Sequence, residues 1–593
     1  MSEPTGAPRT LARALAHAVA RHADRAFGLM GNGNAFFIDA LASAGVALTE
    51  VRHEVAAVAS ADAYTRVTGR LAIATTTYGA GFTNLLTALA EAAQARTPML
   101  VVVGDEPTTG ARPWGVDQEM MAAAMGVRTI PLSPDDLDET IDRAAASARR
   151  SRKPVVLAIP YDLAEVPVVD PEPEPVGIDL NDPAVTRALI AATMPSAAPA
   201  PRVERPRTAA SDAELTLALQ ALGAAERPLV LAGRGAWLAG ASAGSELDEL
   251  AARLGAPTAT TALARGIFAE QRYDLGITGG FGQEAAMAVI AEADVVVVVG
   301  ASLNQFTMRF GELFGPGARL IRIDADQVAP PRTLQPVEQV LLRGDAREVL
   351  RLLLTELPAH RAAPSSWRER LAPELEPGGA LRVRDDGLAE HPDGLCADGL
   401  LDPRAVAARL AELLPADRHV TSDGGHFIGW ANMFWPVASP ERMIMVGTAY
   451  QTIGLGFSTV AGVAAAAPAS TVVVTTGDGG ALMSLADLET AIRTAPSCAI
   501  VVWNDGAYGA EVHLYGLMGV DEAPMRIPTV DFAGLAASLG ATGVRVERLA
   551  DLDALATWAA AGAEGTILLD CRISRSVVAP YQREIQRVNG IDA

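Results

Sequence analysis

Runs of consecutive apolar residues, many of them β-branched, recur along the chain and alternate with stretches in which Ala and Leu return every three or four positions. The runs are "LAIATTT", "MLVVVGDEP", "KPVVLAIP", "RPLVLAG", "DVVVVVGAS", "RLIRID", "STVVVTTGDG", "CAIVVWND" and "GTILLDC". Strands apolar at every position are buried on both faces, as in a parallel sheet covered by helices. The alternation therefore predicts an α/β fold built from open parallel sheets. A helix is expected from about Thr10 to His22. Two stretches break the alternation. Positions 166–210 are Pro-rich and lack a long apolar strand, and "APSSWRERLAPELEPGGALRVRDDGLAEHPDGLCADG" is rich in Pro, Gly and charge. Both read as linkers. They leave three blocks of about 150–200 residues, in line with domain sizes expected for this length, and no short-period repeat is present.

Composition narrows the partners. Acidic residues outnumber basic ones by 70 − 48 = 22, which argues against nucleic acid and anionic membranes. The three cysteines, Cys396, Cys498 and Cys571, show no CxxC spacing and no nearby His cluster in sequence, so a disulfide framework or zinc site is not expected, and a reducing cytoplasm fits. The opening "MSEPTGAPRTLARALAHAVARHADRAFGLM" resembles no secretory signal, and no stretch is apolar for long enough to suggest a membrane span.

The chemistry concentrates in "GDGGALMSLADLETAIRTAPSCAIVVWNDGAYG". One strand delivers Gly477-Asp478-Gly479-Gly480 to its C-terminal end, and a helix "ALMSLADLETAIRTA" is expected to start at once. The next strand delivers Asn504-Asp505-Gly506. Ligands of open α/β sheets bind beyond these ends. A helix start favours phosphate, and two oxygen ligands beside it make a Mg²⁺ site, since Mg²⁺ combines one or two carboxylates with phosphate oxygens. Read alone, GDG is a tight turn after a strand; the second acid on the following strand gives it meaning.

This pair resembles the thiamine diphosphate motif of the acetolactate synthase and pyruvate decarboxylase superfamily, a GDG followed some 25 residues later by NN. The family's metal-binding Asn falls on Asp505, with Asn504 as the alternative ligand, Asp478 as the first acid and the carbonyl of Ala507 as a third protein ligand. The resemblance extends to "TEVRHEVAAVASADAYTRVTG", where Glu54 takes the place of the family's catalytic Glu, which protonates the cofactor's aminopyrimidine. It continues through "TTTYGAGFTNLL", which keeps Gly79, Gly81 and Asn84 but has Ala80 where the family has Pro. "TAYQTIGLGFSTVAG" resembles the run that bends the cofactor, with Ile453 as the wedge and the Gln451 carbonyl accepting from the 4′-amine. "SDGGHFIGW" resembles the diphosphate loop, through Gly425 and His426. For the reacting end, the resemblance implies that Asn32 and Gly33 of "FGLMGNGNAFF" approach the reactive carbon, that Gln118 of "WGVDQEMM" points into the pocket, and that Ala510 and Glu511 of "AYGAEVHLY" line it.

The resemblance implies three domains: a pyrimidine-binding domain at 1–170, a linker at 171–210, a Rossmann-like middle domain at 211–360, a linker at 361–398 and a diphosphate- and Mg²⁺-binding domain at 399–593. It implies decarboxylation of a 2-oxo acid with transfer to an acceptor, as in acetolactate synthase. The alternatives are a lyase or hydrolase of a hydroxyketone, diketone or acyl-CoA, and a simple 2-oxo acid decarboxylase, although the His-His pair of pyruvate decarboxylases is absent. A homodimer at minimum, and a homotetramer by expectation, would place Glu54 at the partner's cofactor. FAD in the middle domain is not favoured, because Leu303-Asn304-Gln305 replace the usual Arg-bearing run; a CoA-nucleotide site stays open there. A non-catalytic scaffold would have been signalled by loss of Glu54 or of the GDG acid.

Overall fold

The structure, a computed structural model, describes residues 9–110, 115–168, 210–240 and 243–591. Three six-stranded parallel sheets follow one another along the chain. The first contains β1 (Arg25–Gly28), β2 (Ala47–Glu50), β3 (Ile73–Thr76), β4 (Met99–Asp105), β5 (Arg128–Pro131) and β6 (Pro154–Pro160), in the order β2-β1-β3-β4-β6-β5. The second contains β7 (Pro228–Ala232), β8 (Thr258–Thr260), β9 (Asp274–Ile277), β10 (Val295–Val299), β11 (Arg319–Asp324) and β12 (Glu338–Arg343), in the order β12-β11-β10-β7-β8-β9. The third contains β13 (Arg418–Ser422), β14 (Met443–Met445), β15 (Thr471–Gly477), β16 (Ser497–Asn504), β17 (Thr542–Val546) and β18 (Gly565–Arg572), in the order β14-β13-β15-β16-β18-β17. The outer two sheets thus share one connectivity, and the middle sheet has the dinucleotide-fold order.

The expected α/β architecture is present, with local differences. Residues 171–209 of the first expected linker lie outside the described residues. The stretch expected as a second linker carries a helix, Trp367–Leu375, whose Trp367 and Leu375 are buried with Leu381 against the middle sheet. The N-terminal helix runs Leu11–Ala20. The helix expected after GDG is two helices, Asp478–Met483 and Ala486–Thr494, broken at Ser484, whose hydroxyl turns back onto the Gly480 carbonyl at 3.2 Å. In the middle domain, Gly233 and Gly235 lie directly on Gly300: a Cβ on Gly233 would meet the Gly300 oxygen at 2.4 Å. The glycines of that turn serve this close backbone packing.

First and third domains share one core. Its spine is the helix Glu54–Thr68, whose Ala-rich sequence leaves it narrow enough to be buried along most of its length. The helix Val460–Ala466 of the third domain approaches so closely that the Ser60 hydroxyl donates to the Ser458 carbonyl at 2.7 Å. A Cβ on Gly462 would sit 1.9 Å from the Ser60 carbonyl oxygen. Gly462→Ala should therefore lower stability by about 1–3 kcal/mol, the range for overpacking, although Gly→Ala in an open helix stabilises. A lower thermal midpoint would show it; an unchanged or higher midpoint would contradict this packing.

Candidate active site

The third sheet sets the geometry. β15 and β16 pair in parallel with Gly477 level with Trp503, so the residues that follow each strand emerge at the same edge. Asp478 opens the helix Asp478–Met483 and is almost fully buried; its carboxylate accepts from the Gly479 amide and from the Gly506 amide, both at 2.9 Å. Asp505 is folded back by the Ala507 amide, which donates to it at 3.1 Å. Burial pushes the Asp478 carboxyl up to about 6. Burial and the neighbouring Asp478 charge push Asp505 up to about 7. Two acids held together at this cost, beside a helix start, are a donor set suited to a hard divalent cation.

Asn504 is placed differently. Its amide donates to Asp570 at 2.8 Å and to the Val530 carbonyl at 3.1 Å, which turns it into the sheet. The structure thus brings Asp505, rather than the Asn504 side chain, to Asp478. Glycine is required around the acids because other side chains close over them. A Cβ on Gly477 would meet the Phe427 ring at 2.9 Å, on Gly479 the Tyr508 ring at 2.6 Å, and on Gly480 the Asp423 carboxylate at 2.7 Å.

Asp423 was not singled out in the sequence, yet it ties two loops together. Fully buried, it accepts from the amides of Gly424 (2.8 Å), Gly454 (3.1 Å) and Leu455 (3.3 Å) and from Thr476 Oγ1 (3.2 Å). The signal was available: Asp423-Gly424-Gly425 after β13 repeats the Asp-Gly-Gly after β15. Gly425 has φ +132° and Gln451 φ +61°, so both occupy the left-handed half of backbone space. The side chain of Ile453 lies beside Gly424.

His426 is buried, and its Nε2 accepts from the Ala579 amide at 3.1 Å, which assigns the proton to Nδ1. Burial and the adjacent His513 ring, at 4.6 Å between centroids, push it down to about 3, so it is neutral. The chain's last helix, Pro580–Val588, closes this side: Tyr581 donates to the His426 carbonyl at 2.7 Å, and Gln582 to the Ala510 carbonyl at 3.4 Å. Nearby, Arg575 donates to the Asp505 carbonyl at 3.2 Å. None of these three C-terminal partners carries a local sequence motif. Glu511 is exposed, and among the described residues no hydrogen bond or ion pair engages its carboxylate.

In the first domain, Glu54 opens its helix and accepts from Asn84 Nδ2 at 2.9 Å, with Gly81 against it. No hydrogen bond or ion pair among the described residues joins Glu54 to Asp478 or Asp505. Gln118 is buried; its Oε1 accepts from the Gly79 amide at 2.9 Å and its Nε2 donates to the Gly104 carbonyl at 3.0 Å, so its amide holds the glycine turn. Asn32 donates to Tyr78 Oη at 3.0 Å, and the Gly33 amide to Thr77 Oγ1 at 2.9 Å. The neighbouring Asn34, missed in the sequence, is the buried anchor of that loop, bonded to Gly31, Leu29 and Thr75.

One cysteine does meet a histidine in space. His391, Cys396 and Asp402 offer ligand atoms within 4.8 Å of one another. The Asp402 carboxylate, however, already caps its helix through the Arg404 amide and grips the Arg404 guanidinium at 2.8 Å.

The glycine-walled acid pair in one outer domain and the helix-borne Glu in the other define a cofactor-dependent α/β enzyme, and the comparisons name its class. The chain matches the thiamine pyrophosphate enzyme N-terminal TPP binding domain over residues 9–125, the central domain over 215–353 and the C-terminal TPP binding domain over 423–571. It belongs to the thiamine pyrophosphate enzyme family, among its acetolactate synthase-like members. A probable 2-ketoarginine decarboxylase of Pseudomonas aeruginosa is 31% identical, covering 95% of this chain and 94% of that one. A probable acetolactate synthase large subunit of Methanocaldococcus jannaschii is 27% identical over 88% and 84% of the two chains. A sulfoacetaldehyde acetyltransferase of Castellaniella defragrans is 27% identical over 95% and 93%. Among the described residues, no helix is long and apolar enough to cross a membrane.

The acid pair makes a pH prediction for metal-free protein. An unfolded Asp releases its proton near 4, whereas the native pair holds protons to about 6 and about 7. Between these values the native state binds more protons than the unfolded one, so the pair's contribution falls as pH rises from about 4 to 7. Asp505→Asn removes one of the two acids. Its thermal midpoint should gain on wild type more at pH 8 than at pH 5; equal differences at both pH values would refute the coupled acid pair.

Proposed function

We propose that this enzyme uses thiamine diphosphate with Mg²⁺ to decarboxylate a 2-oxo acid and to transfer the remaining acyl unit to an acceptor, in the manner of an acetolactate synthase. The observation that carries this reading is the Asp478–Asp505 pair, the first buried and the second half-buried, at the level ends of β15 and β16. Bound there, thiamine diphosphate supplies a carbon nucleophile and an electron sink, the chemistry that loss of CO₂ from a 2-oxo acid requires.

The chain's own residues supply binding, orientation and a proton. Asp478, Asp505 and the Ala507 carbonyl would hold the ion, while the Asn504 side chain stays bonded within the sheet. Gly425, Gly477, Gly479 and Gly480 would admit the diphosphate to the backbone. His426, with Nε2 taken by Ala579, would offer Nδ1–H to a phosphate oxygen. Gln451 and Ile453 would orient the rings. Glu54 would hold a proton at the pyrimidine N1′, with Asn84 fixing its carboxylate. Asn32, Gly33, Ala510 and Glu511 would border the substrate, with Gln118 holding the glycine turn behind them. No flavin enters this reading.

A second copy of the chain belongs to it. The C-terminal edges of both outer sheets leave large apolar side chains exposed, including Met30, Phe36 and Met120 in the first domain and Met483, Leu517 and Val520 in the third. Such surface is expected at an interface between subunits. Glu54 and the acid pair would meet across a dimer, with a tetramer as the larger assembly.

The relative named a 2-ketoarginine decarboxylase favours a second reading, CO₂ loss without an acceptor. One experiment separates the readings: CO₂ release from a panel of 2-oxo acids that includes pyruvate, with products read by mass. Glu54→Gln should reduce release by about 100-fold or more, the usual worth of a positioned proton donor. A product mass equal to acid minus CO₂ selects simple decarboxylation, and a larger one selects transfer. Absence of release from every acid, with cofactor bound, would overturn both and leave cleavage of a hydroxyketone, diketone or acyl-CoA.

A further inference from the structure

Glu91 lies in the last turn of the helix Ala80–Gln94 and is 1% exposed. A carboxylate so deeply buried is retained only with partners, and its two oxygens have different ones. Oε1 meets Arg66 Nη2 at 3.1 Å. Oε2 accepts from the backbone amide of Tyr450, in the third domain, at 2.8 Å. Arg66 does not depend on Glu91 for its charge balance: Asp62, one turn earlier, grips it at 2.9 and 2.6 Å, and the Met445 carbonyl accepts from it at 2.8 Å. The second oxygen of Glu91 is thus free to serve the third domain.

The amide it holds is at a critical place. The next residue, Gln451, adopts φ +61°, a left-handed conformation that a non-glycine residue keeps only when its surroundings impose it. The imposing bonds bracket it: Glu91 holds the Tyr450 amide on one side, and the Gly447 carbonyl takes the Thr452 amide at 2.9 Å on the other. Asp423 then fixes Gly454 from within the third domain. The middle domain reaches the same place, since Arg234 donates to the carbonyl of Ala95, the residue that ends the Glu91 helix, at 2.7 Å. All three domains therefore meet at the base of the Tyr450–Ile453 loop.

We propose that Glu91 is a positioning residue that sets the Gln451–Ile453 backbone from the first domain, a role that rests on reading that loop as the surface against which the cofactor's rings lie. If only part of the protein holds the loop in its bound shape, apparent affinity for the ringed ligand falls by that fraction, while binding of the diphosphate group alone does not.

The test uses full-length wild type, Glu91→Ala and Glu91→Gln with Mg²⁺. Titration calorimetry measures thiamine diphosphate and, separately, inorganic diphosphate; hydrogen exchange follows residues 447–454. Glu91→Ala should weaken thiamine diphosphate by about tenfold or more, the scale of a lost charge-assisted hydrogen bond, keep inorganic diphosphate within about twofold, and speed exchange in the loop. Glu91→Gln, which retains an oxygen acceptor, should recover part of the loss. Wild-type affinity in Glu91→Ala, equal loss of both ligands, or a Gln variant no better than Ala would overturn the proposal. Wild-type protein that binds inorganic diphosphate but not thiamine diphosphate would instead overturn the reading of the loop, and faster exchange at 447–454 in Glu91→Ala would still report that Glu91 holds it.

Discussion

Two carboxylates held side by side, one buried and one half-buried, repel each other and lose hydration, and the third domain is arranged around tolerating them. Level strand ends bring Asp478 and Asp505 together, and backbone amides of Gly479, Gly506 and Ala507 point at them. The glycines beside them let Phe427, Tyr508 and Asp423 close in without a side chain between. The positive charge of Arg575 offsets part of the negative potential, although its hydrogen bond reaches the backbone of Asp505 and not its carboxylate. Left to themselves the two charges are unfavourable, which is the usual electrostatic logic of a site built to receive a cation.

The remaining parts are held by polar atoms that face inward from loops. Asp423, Gln118 and Asn34 are each buried and each spends most of its hydrogen bonds on backbone, so three loops at the sheet edges keep fixed shapes. Residues expected to face a ligand divide accordingly. Glu54 and Asn84 are paired yet accessible, Glu511 is open to solvent, and Gln118 is committed to the glycine turn behind them. The site's rigidity comes from this inner ring of loop anchors, and its chemistry from the side chains they leave free.

Much of this was legible in the chain. In every sheet three adjacent strands were plain: β3, β4 and β6; β7, β10 and β11; β15, β16 and β18. They are the strands buried at nearly every position, so their sequences are largely apolar. The strands that escaped notice lie at or next to the edges, as with β5, β12, β14 and β17, which are short or half exposed and carry no continuous apolar run. The acid pair was legible because strand order and loop spacing put it at one edge. Tyr581, Arg575 and Glu91 were not, since each acts across a distance in sequence that local pattern does not encode. The break at Ser484 was missed because a hydroxyl's choice between solvent and its own helix leaves no trace in apolar spacing.

The joint between first and third domains has a consequence for biosynthesis. Ser60 and Ser458 are 398 positions apart, and the small-residue face of the Glu54–Thr68 helix packs on the helix Val460–Ala466 and the turn before it. At translation rates of about 5–20 residues per second, that face emerges from the ribosome about 20–80 s before its covering helix exists. During this interval the first domain is a finished sheet with an unfinished side, a surface of alanines open to any passing hydrophobic chain. The closeness that glycine and alanine permit in the mature enzyme therefore makes the nascent one a client for protection until its last third is made.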